Sequence, residues 1–154
     1  RKAVALLEIL VNKQVQQTTQ EKQANTSSTS QTLFNLKLLA YERIILFIER
    51  IKPDSFIPRT LSPSLPYQEY QLLLINEIRK EFEYNLSQQL YLSENAWEVT
   101  VNFKDNIITL INSAATSCPP QATAGDLARK ILEHYISSDL KGEQILKIVK
   151  AEIQ

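Results

Sequence analysis

The sequence predicts an all-α bundle of four main helices with shorter flanking helices and a Pro-rich extended connection. Three observations predict it. Apolar residues recur at alternating three- and four-residue steps in several long segments. No segment alternates apolar and polar residues with the period of a strand. Prolines and capping residues fall where those segments end. The chain has 154 residues, 44% of them hydrophobic and 22% charged, which suits one folded domain and argues against whole-chain disorder.

Residues 3–15 are expected to form an amphipathic helix, with Val4, Leu7, Val11 and Val15 on one side. From Gln14 to Gln31 the composition turns to Gln, Thr, Ser and Asn with no apolar period, which reads as a linker or as a solvated helix that frays. The chain is accordingly divided into residues 1–31, an N-terminal helix and polar juxtamembrane-like linker, and residues 32–154, the helical bundle. From Leu33 the apolar spacing becomes dense: Leu33, Leu36, Ala40, Ile44, Phe47 and Ile51 follow helical steps, with Leu38, Leu39, Ile45, Leu46 and Ile48 beside them. Glu42, Arg43, Glu49 and Arg50 leave only a narrow polar stripe, as expected of a helix surrounded by others.

Pro53, Pro58, Pro63 and Pro66 remove amide donors, so residues 52–66 are expected to run extended along the helices, with Phe56, Ile57, Leu61 and Leu65 partly covered. Pro66 and Glu69 suit the start of a helix reaching about Tyr91. Its inward face is Leu74, Ile75, Ile78, Phe82, Leu86 and Leu90, with Arg79 and Glu83 paired outside. Ser93 is the expected N-cap of the next helix, which carries Trp97, Val101, Ile108, Ile111 and Ala115, has Phe103, Ile107, Leu110 and Ala114 alongside, and stops before Cys118-Pro119-Pro120. Thr123 and Asp126 make a capping box for a fourth core helix with Leu127, Ile131, Leu132, Tyr135 and Ile136. After a break at 137–142, Ile145, Leu146, Ile148, Val149 and Ile153 mark a short terminal helix.

The chemistry available is sparse. Seventeen basic and seventeen acidic side chains cancel, so no general basic field draws nucleic acid. One His, His134, and one Cys, Cys118, offer no metal-ligand spacing, no disulfide and no nucleophile with a nearby base. The two glycines, Gly125 and Gly142, make no phosphate-cradling loop. Glu77, Glu81 and Glu83, set among Arg79 and Lys80, read as a solvated helix face rather than acid-base groups. No enzyme, cofactor or metal is expected. Tyr67, Tyr70, Tyr84 and Tyr91 are candidate anchors for a partner surface, against a reading in which they line the core with hydroxyls at its rim. Lys141, Lys147 and Lys150 beside Ile145 and Val149 suggest membrane docking only weakly, because Glu143 and Glu152 dilute the charge. The run Ala3–Val11, broken by Glu8, is shorter than the ~20 residues of a span.

The runs Leu38-Leu39-Ala40-Tyr41-Glu42-Arg43 and Leu46-Phe47-Ile48-Glu49-Arg50-Ile51 resemble an uncharacterised protein family of Bacteroidota. So do the stretch from Glu77-Ile78-Arg79-Lys80-Glu81-Phe82 to Gln88-Gln89-Leu90-Tyr91 and the pair Ala96-Trp97. The resemblance extends from about Leu33 to Ala115. It implies one N-terminal transmembrane helix, a polar juxtamembrane stretch and a helical domain, and brings no activity, cofactor or catalytic residue. The span would lie in a segment absent from this chain, with Arg1 and Lys2 just after it, and such basic flanks favour the cytoplasmic side of the inner membrane. The expectation is therefore a non-enzymatic interaction domain with a protein partner. The alternatives are a bundle that associates with itself, or an enzyme whose carboxylates are assembled between helices.

Overall fold

The structure, a computed structural model, describes residues 2–139 and 142–153. The residues Arg1 and Lys141, and the side chain of Lys2, to which charges were assigned above, lie outside the described residues. Among the described residues six α-helices follow in order: α1 Lys2–Ile51, α2 Pro53–Thr60, α3 Tyr67–Tyr84, α4 Glu94–Thr116, α5 Ala124–Ser137 and α6 Gly142–Ile153. A 3-10 segment, Leu86–Tyr91, stands between α3 and α4. The fold is all-α, with no strand among the described residues and a single antiparallel bridge, Pro66 to Thr123. The chain divides into two compact units, residues 1–37 and 38–154.

In the first unit the polar tract 14–31 is helical, the second of the two alternatives set out above. No Pro or Gly interrupts residues 2–51, and Ala, Gln, Lys and Glu are good helix formers. The threonines, which disfavour helices, turn their hydroxyls back onto carbonyls four residues earlier: Thr18 to Gln14, Thr19 to Val15, Thr26 to Lys22, Thr29 to Asn25 and Thr32 to Ser28, at 2.8 to 2.9 Å. Every described side chain from Ala3 to Lys37 is exposed.

The second unit holds the core. Ile44, Phe47, Ile48 and Ile51 of α1, Phe56 of α2, Tyr70, Leu74 and Ile78 of α3, Phe103, Ile107 and Ile111 of α4 and Leu127 of α5 are all fully buried. Helix α4 packs on α3, α5 and α6, and α5 also meets α2 and α3. Its deepest row is Phe103, Ile107, Ile111 and Ala114, while Trp97, Val101 and Ile108 sit at the margin. The C-terminal part of α1 is not surrounded: Leu39 and Leu46 face solvent together with Glu42, Arg43 and Arg50.

Four further expectations are corrected. Residues 53–60 are helical rather than extended. Pro53 stands at the first helical position, where its missing donor has no partner to lose, and Pro58 comes only two residues before the end, so one lost bond is offset by burial of Pro53, Phe56 and Ile57. The non-helical part is confined to 61–66, which turns where Leu65 N donates to Ser62 O at 3.1 Å; beside it Tyr67 N donates to Ala122 O at 3.1 Å and Ala124 N to Leu65 O at 2.7 Å, tying the two proline-bearing connections together. Helix α3 ends at Tyr84, not Tyr91, because the Asn85 side chain donates to Glu81 O at 2.7 Å and the backbone turns into the 3-10 segment. Leu86 and Leu90 are therefore exposed rather than inward, Leu90 at 77%. Ile136 is likewise exposed, one position past the buried Tyr135. Arg79 and Glu83 are both in solvent, and no ion pair joins them among the described residues.

The caps are as expected. Ser93 Oγ accepts from Ala96 N at 3.0 Å, and Thr123 with Asp126 forms the capping box. Helix α6 buries Leu146 and Val149 and is fastened at both ends. Glu152 accepts from Ser93 Oγ and, at 2.8 Å, from Asn95 Nδ2. Gly142 lies on the stem of Lys52, where a Cβ would stand 2.1 Å from Cδ, and its N–H donates to Tyr135 Oη at 2.9 Å. Lys52, a buried ammonium, lies 3.0 Å from Glu49 and 3.2 Å from Glu143.

These fastenings set a pH window. Hydrogen bonds from Asn95 and Ser93 hold Glu152 below the usual carboxylate range, and those from the Thr123 backbone and hydroxyl do the same for Asp126. Burial lowers the Lys52 ammonium, but hydrogen bonds to Glu49 and Glu143 outweigh it and leave Lys52 raised; burial likewise raises Tyr70 and Tyr135. Depressed carboxylates contribute stability above their unfolded pKa that is lost as pH falls through the folded one. Raised groups contribute stability below their unfolded pKa that is lost as pH rises through the folded one. Thermal melts across pH should show a plateau between about pH 5 and pH 9 with losses on both sides. The acid loss should shrink in a Glu152→Gln variant, and an unchanged acid limb would contradict the assignment.

Candidate functional site

The end of α1, the end of α2 and the last turn of α3 converge on one carboxylate. Arg50 lies in the last turn of α1, where its charge complements the helix dipole. Its Nε and Nη2 donate to Glu81 Oε1 at 3.0 and 2.8 Å. Arg59 Nη1 lies 3.7 Å from the same oxygen, while its Nη2 donates to Arg50 O at 3.0 Å and its guanidinium stands 5.3 Å from the centre of the Phe56 ring. Hydrogen bonding to Glu81 raises Arg50 above its ordinary value. The Glu81 side chain is only 16% exposed, and its second oxygen, Oε2, is buried without a hydrogen-bond partner.

Beside this cluster runs an open groove of about 390 Å³ lined by Arg43, Leu46, Phe47, Arg50, Glu81, Tyr84 and Asn85. Below it Phe47 meets Phe82 with ring centres 6.0 Å apart, Phe82 stacks on Trp97 at 5.4 Å, and the Lys104 ammonium sits 4.1 Å from the Phe82 ring centre. Of these aromatic rings Phe47 lines the groove, and Arg43, Arg50 and Glu81 supply its charges.

The four candidate tyrosines are not brought together. Tyr70 is a core side chain, fully buried, its hydroxyl 2.9 Å from Thr60 Oγ1. Tyr67 and Tyr91 are half-buried, and only Tyr84, 74% exposed, reaches the groove. Glu81 is a correction: it leaves the solvated face expected for Glu77, Glu81 and Glu83 to clamp two arginines, whereas Glu83 is exposed. Arg50 and Glu81 are separated by 31 residues, and only the relative register of α1 and α3 makes them meet. The one signal that the sequence carried was opposite charge on two apolar helices.

His134 is exposed, and Cys118 is half-buried with Sγ 3.6 Å from Ala114 O. Among the described residues no three His, Cys, Asp or Glu side chains are grouped to hold a metal, and no helix is long and apolar enough to cross a membrane.

No curated protein and no solved structure matches the chain. The model of one family, described as a family of unknown function (DUF7935), matches residues 2–154, which takes in α1 to α6 and the groove with them. The chain belongs to that family of unknown function.

Proposed function

We propose that this is a non-enzymatic helical interaction domain, tethered to the cytoplasmic face of the inner membrane by an N-terminal span and presenting the bundle to a protein partner. One observation carries the reading. Val4, Leu6, Leu7, Ile9, Leu10 and Val11 are each more than half exposed and, at 100° per residue, occupy all of the helix surface except the side of Glu8 and Asn12. So wide an uncovered apolar surface calls for a lipid or protein neighbour close to the proposed span. In this reading the span precedes Arg1 and Lys2, whose charge suits the cytoplasmic side, and the polar tract 14–31 serves as a spacer. The resemblance to Bacteroidota proteins with one N-terminal span supports the same arrangement. The engagement of the half-buried carboxylate of Glu81 by two guanidinia supports a structural rather than catalytic use of that group.

Fractionation of the full-length gene product in its own host tests the tether. The protein should pellet with inner membrane, resist carbonate washing, dissolve in detergent, and be cut by protease only after the cytoplasmic side is opened. Recovery in the carbonate supernatant, or digestion from the outer side, would overturn it. Retrieval of no partner above background from both membrane and soluble fractions would count against the interaction role.

A further inference from the structure

We infer that the groove between α1 and α3 is the docking site, and that its occupant is a partner segment carrying an apolar side chain with a carboxylate within one helical turn of it. The inference rests on the interaction role proposed above and gives that role a place and a chemistry. Leu46 is 58% exposed and Tyr84 74% exposed, and they flank one groove over the buried Phe47. Single exposed apolar side chains are ordinary, but two large ones on either side of a concave, aromatic-floored site form a seat for an anchor.

The charge of the rim selects its neighbour. The groove lining carries two guanidinia, Arg43 and Arg50, against the single carboxylate of Glu81, which already accepts from Arg50 and has Arg59 3.7 Å away. Arg43 is exposed and lies on the groove itself. An incoming carboxylate pairs with it, and a basic segment is repelled. A second copy of this chain docking groove to groove brings together two linings of the same net positive charge, Arg43 and Arg50 against Glu81 in each.

The test uses the whole 154-residue chain, labelled with nitrogen-15, and two helical probe peptides of Leu, Ala and Gln that differ only in having Glu or Lys at every charged position. The Glu peptide should shift the amide signals of Arg43, Leu46, Glu81, Tyr84 and Asn85 and bind about tenfold or more tightly than the Lys peptide, less so at high salt. Arg43→Glu should remove that preference, and Tyr84→Ala should weaken binding of the Glu peptide while an unchanged spectrum elsewhere reports an intact fold. Equal binding of both peptides, shifts centred on Leu72 or Ile136, no shift in the groove, or groove shifts that vanish on dilution as a dimer dissociates would each overturn the inference. The titration is done in solution without membranes, so a failed groove leaves the tether standing, and a failed tether leaves the groove standing.

Discussion

Replacing Phe103 with alanine is expected to destabilise the bundle by about 3–5 kcal/mol, the largest single-site effect foreseen for this chain. Phe103 is 1% exposed and sits in the central row of α4, the helix that packs against α3, α5 and α6 together. Truncation removes the transfer free energy of the ring and leaves a cavity whose walls belong to several helices. Those walls cannot all close inward, since α6 is fixed by Lys52 and Glu152 at its ends and α5 by its capping box. Urea unfolding followed by circular dichroism measures the loss as a lower midpoint at constant slope. The control is Leu72→Ala on the outer face of α3, where the side chain is mostly exposed and the change should stay within about 0.5 kcal/mol. A Phe103→Ala loss no larger than that of Leu72→Ala would show that α4 does not centre the core.

The extent of α4 was legible in the sequence for a physical reason, although its main face was read one row off, on Trp97, Val101 and Ile108 rather than on Phe103 and Ile107. Helix α4 is long, strongly periodic, capped by Ser93 and stopped by Cys118-Pro119-Pro120, so local signals and tertiary burial agree. Capping of α5 by Thr123 and Asp126 was legible on the same grounds. Helix α2 was not, because eight residues with two prolines have little intrinsic helicity and the element exists through burial of Phe56 and Ile57, which depends on neighbours distant in sequence. The end of α3 was misplaced because the apolar spacing at Leu86 and Leu90 continues past a stop made by one side-chain bond from Asn85. At the candidate site Tyr84 was singled out from the sequence, but Arg50, Glu81 and Arg59 were not joined, since a pairing across 31 residues requires the packing register that periodicity alone does not supply.

The second large effect belongs to that pairing. Glu81→Ala is expected to cost about 1–3 kcal/mol, because two guanidinia lose their shared carboxylate in a site the protein has largely dried. The upper range for fully buried pairs does not apply, since Arg50 keeps 43% of its side chain in water and can rehydrate. Glu81→Gln should cost less: the amide oxygen still accepts from Arg50, without charge assistance. Comparing Arg50→Ala, Glu81→Ala and the double variant isolates the interaction, and a coupling of about 1–2 kcal/mol is expected at low salt. The charge component should fall with added salt, while the part due to dried hydrogen bonds persists. A coupling indistinguishable from zero would mean that Arg50 and Glu81 are held in place by packing on Phe47 and Phe82. The charged side of the groove would then not be fixed by that ion pair.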